Sequence, residues 1–224
     1  MLQSAKKARI GGVEGNIGMI LCDIGNSRIH FYDGKEVKHL SHEEGLKLYE
    51  SEKVGYICVN DEVKSRIKRF SKWQDVSNPS LLKSDYKGLG IDRIALSLAI
   101  CDGVVIDAGS AITVDVMEKG VHLGGWIWPG VKAFKEAYGS ISAKLAVQID
   151  PHISFEKIPK DTSSAISYAV LGSIKEVLQT FAKSKRVFVT GGDASYIAPL
   201  FEDAKIDELL IFKGMEKMIK EERC

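Results

Sequence analysis

No run in this 224-residue chain approaches the 18 or more consecutive apolar residues that a membrane-spanning helix needs. No sign of charge dominates either. The chain has 31 Lys and Arg against 30 Asp and Glu, a formal net charge of +1. Without a basic stripe or a net positive field, neither nucleic acid nor an anionic membrane is an expected partner. Cysteine is confined to Cys22, Cys58, Cys101 and Cys224, with no Cys-x-x-Cys pair. That spacing argues against a zinc site or a disulfide framework, and predicts free, mostly buried thiols in a reducing cytoplasm. The five histidines, His30, His39, His42, His122 and His152, lack metal-ligand spacing and read as surface or structural residues. No G-x4-G-K-[ST], no protein-kinase HRD or DFG signature and no complete G-x-G-x-x-G occurs. P-loop, protein-kinase and dinucleotide-binding readings therefore lose their sequence support. Residues 1–18 carry Lys6, Lys7, Arg9 and glycines rather than an apolar core with a cleavage site. They read as a mobile leader, not a secretory signal.

What remains is ordinary globular composition, 45% hydrophobic and 27% charged. Proline is scarce at five, but the 21 glycines cluster. Residues 19–24 form a short apolar run that ends in Asp23-Ile24-Gly25-Asn26-Ser27. Runs at 28–32 and 36–40 flank Asp33-Gly34, a hairpin signal. Residues 54–60 predict a buried strand. Asp61 is placed to cap a helix over 62–70, amphipathic through Val63, Ile67 and Phe70. A helix is expected at 91–100. The strand, Asp-x-Gly-polar, strand, glycine-turn, strand pattern then recurs over residues 104–127. The equivalent aspartates, Asp23 and Asp107, lie 84 positions apart, a weak internal repeat. Further expectations are a helix over 131–145 and a polar loop over 149–160. A long helix should follow to about residue 182, capped near Asp161 and turning Ala165, Ala169, Gly172, Val177 and Leu178 inward. A strand at 186–190, a short helix at 193–200, a strand at 208–212 and a closing helix complete the chain. The expected fold is α/β, with lobes at 19–102 and 103–224 around a cleft.

A glycine turn after a strand presents backbone N–H groups to phosphate oxygens. An aspartate there is electrostatically wrong, because a carboxylate about 4 Å from a phosphate oxygen is repelled by ~4 kcal/mol at an effective dielectric near 20. Two such turns make sense beside a nucleotide only with a cation between them. Magnesium suits that place, since it binds through one or two carboxylates, waters and phosphates. Gly88-Leu89-Gly90-Ile91-Asp92-Arg93 offers a carboxylate and a guanidinium at a helix start. Phosphoryl transfer asks for little more than one such base on the acceptor alcohol, plus positioning. Arg93 is suited to grip an acidic substrate in a fork. The stretch Gly124-Gly125-Trp126-Ile127-Trp128-Pro129-Gly130 reads either as a tight bend with aromatic core packing or as a substrate wall.

These motifs occur in a fixed order: Asp23–Ser27, Gly90–Arg93, Asp107-Ala108-Gly109-Ser110-Ala111-Ile112-Thr113, Gly124–Gly130 and Thr190-Gly191-Gly192. The ordered set resembles the type III pantothenate kinase family from about residue 19 onward. The resemblance implies two duplicated ribonuclease H-like lobes of the actin-like ATPase class around a nucleotide cleft. It implies phosphorylation of pantothenate by ATP, a requirement for Mg2+ or another divalent ion and for K+ or NH4+, and a homodimer. By motif, Asp23, Ile24, Gly25, Asn26, Ser27, Arg28, Ile29 and His30 would hold the ATP phosphates. Asp23 would also approach magnesium, directly or through water, and Ser110 would touch ATP. Asp92 would be the base. Tyr86, Gly90, Ile91, Asp92, Arg93 and Thr162 would contact pantothenate, and Asp107 would bind the monovalent cation. Ser27 and Ser110 stand where the family has threonines, Asp161 where asparagine is common, and Trp126 and Trp128 are bulkier than usual. A sugar-type kinase of the same fold and a non-catalytic transcriptional accessory factor are the alternatives.

Overall fold

The glycine-punctuated first segment folds as the expected meander. The protein is described by a computed structural model over residues 18–182 and 184–224, so the leader expected at 1–18 lies, except for Gly18, outside the described residues. Strands β1 (Ile20–Ile24), β2 (Ile29–Tyr32) and β3 (Val37–Leu40) pair antiparallel in sequence. Asp33 closes the β2–β3 hairpin by accepting from the Lys35 and Glu36 N–H groups. Helix α1 (His42–Tyr49) was not foreseen, because its apolar period is weak. Its start was nevertheless written in the sequence as a capping box, in which Ser41 and Glu44 satisfy each other's backbone N–H groups. Strand β4 (Val54–Cys58) is buried throughout. Helix α2 (Asp61–Ile67) is capped by Asn60, not Asp61. The Asn60 side chain accepts from Val63 N–H, and the helix stops before Phe70. Strand β5 (Trp73–Asp75) completes a first sheet of order β3-β2-β1-β4-β5.

The short strand β6 (Lys83–Ser84) crosses to the second sheet, and helix α3 (Ile91–Ile100) has the bounds the sequence gives it. Strands β7 (Gly103–Ala108), β8 (Ala111–Glu118) and β9 (Val121–Pro129) repeat the meander. Helix α4 (Val131–Ile141) ends earlier than expected, followed by a 3-10 turn over Ala143–Leu145. Helix α5 (Thr162–Ala182) has its expected bounds. Its buried face, however, is Ile166, Ser167, Val170, Leu171, Ile174 and Leu178. Of the residues expected to face inward only Leu178 does, since the larger aliphatics, one position on, take the core. Strand β10 (Val187–Thr190), helix α6 (Ala194–Ile197), strand β11 (Lys205–Ile206) and helix α7 (Leu210–Lys220) end the chain. The strand expected at 208–212 is instead the first turn of α7. A short apolar run does not separate strand from buried helix. Met215 and Met218, buried with Leu210, Ile211 and Phe212, supply the helical period that decides it.

The second sheet has the order β11-β10-β7-β8-β9-β6. Read from β9, it reproduces the first sheet strand for strand. β7 takes the place of β1, antiparallel to β8 and parallel to β10, as β1 is antiparallel to β2 and parallel to β4. The weak repeat in sequence is therefore a full repeat in topology, and the expected pair of lobes is present. Helices α3 and α7 pack together in a core shared with β1, β7 and β8 residues, including Leu21, Val105 and Met117. Burying each Leu or Ile there contributes about 1.5–3 kcal/mol, so the helix that carries Asp92 is firmly seated.

Cys22 and Cys58 are free and buried, as expected. Cys101 and Cys224 are joined in a disulfide with Cα atoms 5.1 Å apart, which overturns the expectation of four free thiols. A separation of 123 residues left no spacing signal.

Candidate active site

The topological repeat places two aspartates at equivalent positions, each the penultimate residue of its strand, Asp23 in β1 and Asp107 in β7. Each glycine N–H closes its turn with a backbone bond, spanning three residues in the first turn and two in the second. Gly25 N–H donates to Arg28 O and Gly109 N–H to Ala111 O, each at 3.0 Å. The turns face each other across the cleft, where Ser27 Oγ and Ser110 Oγ are hydrogen-bonded at 2.8 Å. His42 Nε2, from α1, bonds Gly25 O at 2.9 Å, and Asn60, which caps α2, donates to Asn26 O. The first turn is thus propped by two helices.

Asp92 lies in the first turn of α3, its carboxylate folded back to accept Arg93 N–H at 2.7 Å. Gly90 permits this, because a side chain at that position would collide with Asp92 Oδ1. Burial pushes Asp92 up, against the opposing pull of the Arg93 N–H and guanidinium. Burial pushes Asp23 up to about 8, and the charges of Asp92 and Asp107 add to the shift. Asp107 is pushed up to about 7 by burial, then by Asp92 and Asp115. Asp92 thus raises both Asp23 and Asp107, and of the three only Asp92 is itself pulled down by a cation, Arg93.

Unfolded, both Asp23 and Asp107 titrate near 3.8. The stability tied to their protonated folded forms is complete below that value. It is lost as pH rises, through about 7 for Asp107 and about 8 for Asp23. Between about pH 5 and pH 8 the cation-free protein is expected to lose stability, by up to ~1.4 kcal/mol per pH unit for each proton held. Urea denaturation across that window should show the slope, and Asp23→Asn should flatten it. An unchanged slope in the variant means that Asp23 does not carry it.

Gly191, at φ +91°, leaves no room for a side chain, which would collide with Asp107 Oδ1 and Ala108 O, so the Thr190-Gly191-Gly192 motif walls the second turn. Gly191→Ala combines a strained backbone with a clash and is expected to cost about 1–3 kcal/mol. A chemical denaturation midpoint equal to the parent protein's would contradict that packing.

Arg93 is buried, and its fork closes on Asp115, Nε to Oδ2 at 2.9 Å and Nη2 to Oδ1 at 2.7 Å. Its grip on an acidic substrate is thus reduced to Nη1, which reaches Tyr86 Oη at 3.3 Å. Asp115 Oδ1 also meets His122 Nε2 at 2.7 Å, and His122 Nδ1 meets Ser84 Oγ at 2.7 Å. Ser84 Oγ in turn accepts Tyr86 N–H. His122 is the buried structural histidine that the sequence allows, whereas neither strand alternation nor spacing marks Asp115 and Ser84. His30 and His39, apart in sequence, touch through Nδ1 atoms 2.7 Å apart because β2 and β3 pair in that register.

Register also settles the two tryptophans. Asp107, Thr113 and Ile127 pair across β7, β8 and β9, as do Val105, Asp115 and Gly125. Trp126 and Trp128 pair with Val114 and Ile112 on the opposite face and pack on the outer core with α5 residues. They do not face the carboxylates. Ile24 and Ile29 are buried in the first-sheet core, so neither side chain opens to the cleft, while Ile91 is partly buried and packs on the central core. Arg28 is exposed beside the first turn. Thr162, exposed at the start of α5, is not joined to the carboxylates by any contact described for it.

Among the described residues no group of three or more His, Cys, Asp or Glu side chains forms a metal cage. The raised Asp23 and Asp107 instead suit a hydrated cation that takes its remaining ligands from phosphate and water.

A family model described as type III pantothenate kinase matches residues 71–183. The chain is 41% identical over 203 residues to a type III pantothenate kinase of Campylobacter jejuni (strain RM1221), covering 91% of this chain and 97% of that one. It is 42% identical over 207 residues to that of Wolinella succinogenes, with coverage of 91% and 97%. A Campylobacter jejuni crystal structure that carries the description of a Baf family transcriptional activator superposes with a TM-score of 0.81 at 40% identity, over 91% and 98% of the two chains. The ethanolamine utilization protein EutJ of Carboxydothermus hydrogenoformans shares the fold alone, at a TM-score of 0.50 and 17% identity.

Proposed function

The chain belongs to the type III pantothenate kinase family, and on that premise we propose how its own residues move a phosphoryl group from ATP to the hydroxyl of pantothenate, giving 4′-phosphopantothenate for coenzyme A synthesis. One observation carries the reading: the two glycine turns meet at Ser27 and Ser110 with Asp23, Asp92 and Asp107 coupled beside them.

The first turn, Asp23 to His30, holds the phosphates chiefly through backbone N–H groups, as its buried isoleucines leave only their main chain to offer. Asn26 and Ser27 add side-chain donors, and Ser110 approaches from the other lobe. Asp92 takes the proton of the pantothenate hydroxyl. Its raised affinity for a proton suits a general base. Gly90, Ile91, Arg93 and Tyr86 frame the pantothenate side, with Arg93 Nη1 and Tyr86 Oη directed at its carboxylate, and Thr162 contributes from α5. Asp23 holds magnesium directly or through water, and Asp107 binds potassium or ammonium. When bound, the magnesium neutralises charge on the transferring phosphoryl group. Two copies of the chain form the working unit, for which exposed Ile141 on α4 and Val177 and Phe181 on α5 leave apolar surface. The setting is cytoplasmic. Among the described residues no helix is long and apolar enough to cross a membrane.

The deciding assay is ATP-dependent formation of phosphopantothenate with magnesium and potassium present. A panel of sugars and other alcohols should be inert. Replacing potassium and ammonium by sodium is expected to lower the rate steeply, and full activity in sodium would remove Asp107 from its role. The transcription-factor alternative is disfavoured by the intact Asp92 and the neutral charge balance.

A further inference from the structure

The disulfide is not part of the site just described. It joins the end of the chain to the C-terminal end of α3, at the opposite end of that helix from Asp92. Three pieces of chain meet there. Cys101 caps α3 in the left-handed conformation, its carbonyl accepts the N–H of Gly120 from the β8–β9 turn at 2.8 Å, and Cys224 lies against Gly120. The two cysteines differ in setting. Cys224 is exposed, while Cys101 is half-buried. Lys217 Nζ, from α7, lies 3.0 Å from Cys101 Sγ and 2.9 Å from Leu98 O. A shallow cavity of about 470 Å³ opens beside Cys224, lined by Lys83, Lys119 and Arg223 with Ser80 and no acidic side chain.

We propose that the Cys101–Cys224 pair is a thiol-exchange site for an anionic low-molecular-weight thiol, which attacks Cys224 from the cationic cavity. The incoming thiolate sulfur forms a bond to Cys224 Sγ. The Cys101–Cys224 bond breaks, and its electron pair leaves on Cys101 Sγ as a thiolate. The product is a mixed disulfide on Cys224 and a free Cys101, with no external oxidant or reductant consumed in that step. A second thiol then attacks the mixed disulfide, releasing the small-molecule disulfide and a free Cys224.

Three physical features fix this direction. Cys224, the exposed residue of the pair and the one that lines the cavity, is the one a nucleophile reaches. The better leaving group is the thiolate that an ammonium stabilises, and among the described residues one, Lys217, lies within hydrogen-bond distance of Cys101. Three cations beside Cys224 concentrate an anionic thiol over a neutral one and are screened by salt. Burial pushes the Lys217 ammonium down, with Glu222 the acidic group acting against that shift. A thiolate partner offsets the cost of seating a charge there. The inference is independent of the kinase reading and needs neither ATP nor pantothenate.

Glutathione is the probe. The full chain, isolated without reductant, is incubated at graded ratios of reduced to oxidised glutathione, quenched by alkylation and mapped by peptide mass spectrometry. The glutathionyl group is expected on Cys224, and Cys101→Ser should trap it there by removing the resolving thiol. At equal thiolate concentration glutathione should exchange about tenfold faster than cationic cysteamine. That preference should vanish at 1 M salt and in the Lys83→Gln/Lys119→Gln/Arg223→Gln variant. Lys217→Met should slow exchange about tenfold. Should that variant not fold, the trapping and salt measurements still decide. Modification on Cys101 alone, a thiol preference that survives both salt and the triple variant, or alkylation of both Cys101 and Cys224 in the chain as isolated would each overturn the proposal.

Discussion

Asp92→Asn keeps ATP binding and lowers turnover by about 10²-fold or more, toward the ~10⁴ upper range for an acid–base group. Asparagine has the same shape, and its Oδ1 still accepts the Arg93 N–H that folds the side chain over α3. What it loses is the capacity to accept the hydroxyl proton. Stability gives a second, opposite readout. Asp92 raises both Asp23 and Asp107, so neutralising it removes like-charge repulsion at neutral pH. The variant should melt no lower than the parent protein, and higher near pH 8. Activity falls while stability holds or rises, a combination that a folding defect does not produce. Steady-state turnover, ATP titration and thermal melting on the same preparation test it. Near-parental turnover rejects Asp92 as the base.

Much of this arrangement was legible in the chain because the informative signals were local. A strand ending in Asp-x-Gly, a glycine loop before an apolar helix and an Asx hairpin each fix their own geometry within a few residues. The repeat of 84 positions then implied two like halves, and the matching strand orders bear that out. Signals failed where the deciding partner was remote. Asp115 looks like an exposed acid in an alternating strand, and only α3 docking on β8 turns it into the anchor of Arg93. The disulfide joins residues with nothing between them to suggest contact. The orientation of Trp126 and Trp128 depends on parity, since a one-residue shift in register exchanges faces. The helix–strand error at residues 208–212 came from judging four apolar residues without the methionines one turn on.

Asp115→Ala is expected to cost about 3–5 kcal/mol, the range for breaking a buried ion pair from one side. Asp115 is 1% exposed, and it takes two hydrogen bonds from Arg93 and one contact with His122. Its removal leaves a guanidinium buried between α3 and β8 with a carbonyl and a tyrosine as partners. A domain has only about 5–15 kcal/mol of stability to lose, so urea midpoints should move far more than for any exposed charge in the chain. Further variants separate charge from shape. Arg93→Met should be costly alone, yet Arg93→Met with Asp115→Leu should cost less than the sum of the singles, because a matched apolar pair leaves no orphan charge. Asp115→Asn, which keeps the side-chain outline, should fold and raise the KM for pantothenate more than it lowers kcat, since Arg93 and Tyr86 would be held less firmly. Additive single-variant costs, or a loss confined to kcat, would show that Asp115 does not position Arg93.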